Sequence, residues 1–383
     1  MNTVGFTFKR IAFFLAIPAL IACVVGWIVS PQQFFISYTF AFLFWFGLSL
    51  GSLGWTMIHH LTGGRWGYST RRFFEAAISS LPLLALLFIP VILGMRALYP
   101  WMDATALSAD EILRHKHVYL NAPAFVARAI VLFAIWIVMA RLLTKWSAEQ
   151  DATTNPEPTR KLRKLSGPGL VIYPLTMTFA AVDWVMSMER DWFSTIFPIL
   201  ICIGQMLSVL ALAILLLALE RRRKPLAQIA GPETFHHLGN LLLTFTMLWA
   251  YLAFAQLLVI WSGDLPHEIS WYLHRIADGW KAIAVLLFLF HFIVPFFLLL
   301  SRSYKRRTEI LTAIAVTILV AHVVEGWWLI APSFYQTGVH LSWLDLAAFI
   351  GVGGGWFTFF VRQLERRALV PMNDPRFALA IPI

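Results

Sequence analysis

Charge is what this sequence has least of. Among its 383 residues 13% are charged and 59% are hydrophobic, where a soluble domain carries roughly 25% charge. That deficit excludes an ordinary water-soluble domain, and with it domain counting by length. Cysteine is scarce too. There are 2 cysteines, Cys23 and Cys202, both in apolar runs and neither in a CxxC pair. An iron–sulfur cluster takes about four thiolates, so any cluster belongs to another chain. Acidic residues are outnumbered, 20 against 30 Lys and Arg, for a net charge of +10. This excess does not point to nucleic acid. The basic residues lie in short loops between apolar runs, where membrane topology explains them. The Gly-rich stretch Gly63-Gly64-Arg65-Trp66-Gly67 lacks a P-loop lysine, so it reads as a tight turn without a phosphate role.

Long apolar runs are what the sequence has most of. Ten segments, near 11–29, 35–58, 74–97, 122–144, 168–188, 193–219, 237–262, 279–300, 308–330 and 342–364, approach or exceed the ~20 residues that cross a bilayer. The expected fold is all-α and polytopic, with about ten transmembrane helices. The longest loops are expected at 98–121 and 145–167, the second as a flexible polar hairpin. Leu20-Ile21-Ala22-Cys23 behind Lys9-Arg10 has the pattern of a lipoprotein cleavage box, but the apolar run continues through Val24, Val25 and Ile28. A retained helix is therefore expected. Most basic residues, including the runs Arg221-Arg222-Arg223-Lys224 and Lys305-Arg306-Arg307, fall on one side of this topology. The positive-inside rule then places both termini in the cytoplasm. Trp27, Trp101, Trp192, Trp261, Trp271, Trp327 and Trp328 gather toward the other side, as an aromatic belt.

The chemistry is expected around Leu165–Pro198. Its apolar part carries Thr176, Thr178 and Asp183, and it ends in Glu189-Arg190-Asp191. A carboxylate in hydrocarbon costs at least roughly 2.5–3.5 kcal/mol on insertion scales. Such a group faces a bundle interior and pairs with a cation or takes up a proton. Arg128, in the preceding segment, lies at a similar depth, roughly 9 Å in at 1.5 Å per residue. Sequential antiparallel helices are commonly neighbours, so an Arg128–Asp183 pair is expected. Glu325 and Gln256 count to the same level. The pair reads either as a structural staple or as part of a quinol or proton site, in which an acid accepts the hydroxyl proton beside an apolar slot.

His291 and His322 raise the question of haem. Counted from the cytoplasmic span ends their depths differ by about five residues, roughly 7 Å, which argues against one haem plane between them. Bundle hydrogen bonds or steps in a proton path remain. Glu75, beside Arg71 and Arg72, is a candidate entrance to such a path or an interfacial ion pair. His59-His60, His236-His237 and His115-x-His117 lack a third ligand, so they read as interfacial polar residues. No metal site is assigned. Gly351, Gly353, Gly354 and Gly355 are expected to let helices pack closely.

Several motifs carry a family resemblance in order along the chain. They are LTGGRWG from Leu61, LPLLALL from Leu81, YPW from Tyr99, YLN from Tyr119, FAAVDWVMS from Phe179, WFSTI from Trp192, MLWAYLAF from Met247 and WYL from Trp271. Together they resemble the ActF family, the shorter NrfD-like integral membrane subunit of bacterial alternative complex III. The resemblance implies an NrfD-like pair of four-helix bundles, with residues 34–190 and 191–335, flanked by peripheral helices in 1–33 and 336–383. It implies a bacterial inner-membrane quinol:cytochrome c or terminal-oxidase oxidoreductase. Partners would be a longer NrfD-like subunit, an iron–sulfur protein, multihaem and monohaem cytochrome c subunits, small membrane subunits and a terminal oxidase. Haem c and iron–sulfur clusters would reside in those partners. This chain, itself without a bound cofactor, would bind quinone or conduct protons. A secondary transporter and a plain scaffold subunit are the alternatives. Transporters favour broken helices in matching halves, and Pro82, Pro90 and Pro174 do not fall in corresponding halves.

Overall fold

The computed structural model describes residues 3–103, 105, 111–190, 192–335, 338–371 and 373–377, with side chains from residue 12 onward except those of Ile112 and His267. Asp191 and the side chains of Lys9 and Arg10 lie outside the described residues. Ten described helices are long and apolar enough to span a membrane. They are α1 (Ala12–Val29), α2 (Pro31–Thr62), α3 (Arg65–Leu93), α4 (Ala122–Ala152), α5 (Glu157–Met188), α6 (Phe197–Glu220), α7 (Pro232–Gly263), α8 (Trp280–Leu300), α9 (Thr308–Ser333) and α10 (Trp343–Leu364). No strand occurs among the described residues. An all-helical chain follows from the solvent: in hydrocarbon each backbone N–H and C=O needs a partner within its own segment.

The helices overrun the apolar segments where polar sequence continues to favour helix. The expected loop at 145–167 shrinks to four residues, 153–156, between α4 and α5. Pro158 in the first turn starts α5 without losing a needed N–H, and the basic stretch Arg160–Lys164 winds as helix at its polar end. Helix α3 is interrupted instead. Turns at Ser79-Ser80 and Phe88 precede Pro82 and Pro90, which open the next helical pieces, Leu81–Leu87 and Ile89–Leu93. A proline ring inside a helix removes an N–H and clashes one turn back.

Helix α2 is the hub. Its most apolar window is 89% buried, against 17% for α1. It packs against α1, α3, α5, α6, α9 and α10. Small residues permit this. A methyl on Gly51 would lie 2.5 Å from the Gln205 carbonyl oxygen of α6, so glycine sets the α2–α6 approach. Helix α5 packs on α4 and both α3 and α5 pack on α2, while α7 and α9 pack on α6 and α8 packs on α7 and α9. Helices α1 and α10 pack together, Gly354 lying over Ala16 and Gly353 against Trp45 of α2. The tryptophans are not one lipid-facing belt. Trp27 and Trp261 are exposed, but Trp101, Trp192, Trp271 and Trp327 are buried. Trp192 stacks on Trp271 at 4.9 Å, closing the end of the bundle from within.

Candidate functional site: two buried acids

Asp183 is fully buried near the end of α5 and meets Arg128 of α4 face to face. Arg128 Nε donates to Asp183 Oδ2 at 2.7 Å and Nη2 to Oδ1 at 3.1 Å. The remaining guanidinium nitrogen, Nη1, donates to the Tyr119 carbonyl at 3.0 Å, and the group lies 3.8 Å over the Tyr119 ring. The expected pair therefore forms, with the two-pronged geometry that suits arginine and carboxylate. Each of the three guanidinium nitrogens donates a hydrogen bond.

Glu325 of α9 is held differently. Its Oε1 accepts from Trp249 Nε1 of α7 at 2.8 Å. Its Oε2 lies 2.8 Å from His322 Nδ1, one turn back on α9, and 3.6 Å from His291 Nδ1 of α8. The ring centroids of His291 and His322 are 5.9 Å apart, and His291 rests 4.2 Å from the Trp249 ring. His291, Glu325 and Trp249 are buried, His291 completely, while His322 keeps 15% of its side chain exposed. Neither His291 ring nitrogen has a hydrogen bond of normal length among the described residues.

The two imidazoles thus come closer than the roughly 7 Å counted from the span ends. Counting residues from span ends assumed level ends and a uniform rise. A separate helical turn, Arg302–Arg306, intervenes between α8 and α9. His291 also sits in a π-helical turn, Phe288–Ile293, that resets the face of α8. Pro295 accounts for it: an α-helix would pair the N–H of residue 295 with the His291 carbonyl, and proline has no N–H. The sequence reading assigned no metal site, yet the structure brings three possible ligands together. His291, His322 and Glu325 present ligand atoms all within 4.8 Å of one another.

A cavity of about 60 Å³ adjoins this cluster. Phe40 and Phe44 of α2, Met177 of α5, Leu200 and Gly204 of α6, and His322 and Glu325 line it together with Gln205. It lies where both groups of helices meet. A methyl on Gly204 would fall 3.1 Å from His322 Cε1, so glycine here leaves room for the imidazole. Gln205 accepts a hydrogen bond from Tyr173 of α5 at 3.1 Å, extending polar contacts away from the cavity along α5.

The remaining candidates lie elsewhere. Gln256 accepts from Ser194 at 3.1 Å and donates to Tyr272 at 3.3 Å, in a pocket with Phe193 and Glu268. No hydrogen bond or ion pair among the described residues joins Asp183, Glu325 and Gln256 to one another. The single level counted from sequence resolves into three separate sets, because equal depth on different helices does not fix the face each residue presents. Glu75 is buried and held in an ion pair with Arg71 and Arg72. Arg71 Nε, Arg72 Nη1 and Ser147 Oγ donate to it at 2.7, 2.6 and 2.6 Å. Arg367 lies 3.5 Å away, and Asp374 from the C-terminal segment pairs with Arg71 at 2.9 Å. His59 and His60, expected at an interface, are completely buried beside this network, their ring nitrogens without hydrogen bonds among the described residues. Arg376 donates to the His60 carbonyl at 2.9 Å, so the C-terminal segment covers them.

At the opposite end Glu189 ties three elements together. Arg275 Nη1 donates to it at 3.0 Å and Ser333 Oγ at 2.7 Å, while Arg275 Nη2 reaches the Leu329 carbonyl at 2.7 Å. Burial pushes the Glu189 carboxyl up, but His274, the Arg275 charge and Ser333 outweigh it and hold the group at about 2. Burial draws Arg275 down to about 10 against the pull of Glu189. Sequence reading missed this clasp and missed Trp249, Gly204 and Tyr173. Pro295, four residues after His291, is the signal that was there to be used. No protein-family model matches the chain, and no curated protein matches it.

Proposed function

We propose that this chain is a proton-handling membrane subunit of a quinol-oxidising respiratory complex of the alternative complex III type, with Glu325 as its proton-holding group. The observation that carries this is the make-up of the Glu325 cluster. Its partners are two imidazoles and an indole N–H, with no lysine or arginine bonded to it among the described residues. A carboxyl so placed balances its charge through protons on itself or on histidine, and ionisable groups within spans commonly mark such relays. The Arg128–Asp183 pair is a clasp in this reading, since a guanidinium keeps its charge throughout the working pH range.

The cavity favours protons over a quinone ring. About 60 Å³ is room for on the order of four waters, well below the roughly 300–1,000 Å³ of small-molecule pockets. Water there would link Glu325 to Gln205, which accepts from Tyr173. Electrons would pass through haem c and iron–sulfur partners. The test is purification in mild detergent followed by turnover in vesicles. Wild type is expected to bring down haem-bearing and iron–sulfur chains and to couple quinol oxidation to proton movement. Glu325→Gln is expected to assemble and lose the coupling. A colourless chain isolated alone, or unchanged coupling in Glu325→Gln, would overturn the reading.

A further inference from the structure

We propose that His291, His322 and Glu325 form a binding site for one divalent transition-metal ion of the zinc type. The ligand set comes from two helices and is already gathered. A tetrahedral ion with bonds of about 2.0–2.2 Å needs ligand atoms roughly 3.4 Å apart. The His322–Glu325 and His291–Glu325 separations, 2.8 and 3.6 Å, bracket that edge, and all three atoms lie within 4.8 Å. Side-chain shifts of roughly 1 Å close the set.

Three further features point to a ligand. His291 is completely buried with both ring nitrogens lacking a normal hydrogen bond, a costly state that coordination would relieve. Trp249 holds the other oxygen of Glu325 at 2.8 Å, the kind of outer hydrogen bond that orients a ligating carboxylate. The cavity beside His322 and Glu325 offers an entry side and space for a fourth ligand such as water. Two imidazoles and one carboxylate suit zinc, cobalt, nickel or copper(II), and not magnesium or calcium, which favour all-oxygen sites. This site stands on geometry alone and does not depend on the proton reading. An ion and a proton would compete for the same atoms, so zinc would inhibit proton movement where that movement occurs.

The experiment uses the purified full-length chain or its complex, stripped with chelator and titrated with Co²⁺ alone, then with Zn²⁺ as competitor. One equivalent of Co²⁺ per chain is expected, with the intense visible absorption of a four-coordinate nitrogen–oxygen site, bleached by Zn²⁺. His291→Ala and Glu325→Gln should each abolish that band. Trp249→Phe should weaken binding by about tenfold, at the low end for an outer-shell partner. His115→Ala with His117→Ala, at exposed positions, should leave the band unchanged. To separate misfolding from lost binding, Zn²⁺-induced thermal protection is read in parallel: wild type gains it and folded triad variants do not. Binding that survives in the triad variants, or that vanishes with His115 and His117, overturns the proposal. Loss of proton coupling in Glu325→Gln without any cobalt site would sink the metal inference and leave the proton reading intact.

Discussion

Asp183 and Glu325 are both acids buried inside membrane helices, yet their surroundings differ in kind. Asp183 faces a guanidinium that grips both its oxygens. Glu325 faces two imidazoles and an indole. A fixed counter-charge makes a carboxyl a strut. A titratable counter-group makes it a place where a proton can be held and passed. The lesson is that burial alone does not mark the working acid; the chemistry of its partner does.

The largest effect should come from breaking the strut. Asp183→Ala leaves Arg128 without its partner, and severing a buried pair costs about 3–5 kcal/mol. Arg128 is 21% exposed, so the loss should fall toward the lower end, read as a lowered Tm in detergent. The double change Arg128→Met with Asp183→Leu should recover most of it. If the single change leaves Tm unaltered, the strut assignment fails. Next is Glu325→Gln, nearly the same shape. It should hold Tm near wild type while lowering coupled turnover by about 100-fold, the lower range for a lost acid–base group. Equal loss of Tm in both acid variants would erase the contrast between them.

A smaller effect is expected at Gly204. Gly204→Ala crowds His322 at 3.1 Å and should cost roughly 1 kcal/mol, at the low end for overpacking, with a greater proportional loss in turnover than Glu189→Gln. The smallest concerns Glu189, outside the spans. Its carboxyl sits at about 2 in the folded chain against an ordinary 4.5. A depressed acid stabilises the fold above the unfolded value. That contribution is complete above pH 4.5 and is lost as pH falls toward 2. Arg275, held at about 10, keeps its charge throughout that acid window, so within this pair the slope comes from Glu189. Glu189→Gln should flatten the acid limb of a thermal-stability profile. An identical acid limb in both proteins would contradict it.

How much of this was legible without coordinates follows from which signals are local. Apolar runs of about twenty residues determine spans through the bilayer, so all ten helices could be placed. Arg128 and Asp183 could be paired because they lie on consecutive antiparallel helices. The Glu325 cluster was not legible as a unit. It needs α7, α8 and α9 together, and the register of α8 is reset by a π turn. The sequence holds the cause, Pro295 after His291, but not how far the turn rotates the imidazole. The burial of Glu75, His59 and His60 depends on Asp374 and Arg376 folding back from some 300 residues away in sequence, which no periodicity encodes. Polar helix ends such as Arg160–Lys164 read as loop because charge was taken for irregularity.

The most direct measurement is a redox-induced infrared difference spectrum of the assembled complex, comparing wild type with Glu325→Gln and Asp183→Asn. The account predicts a carboxylic-acid C=O band on quinol oxidation that persists in Asp183→Asn and disappears in Glu325→Gln. A band that survives in Glu325→Gln, or that disappears in Asp183→Asn, would contradict it.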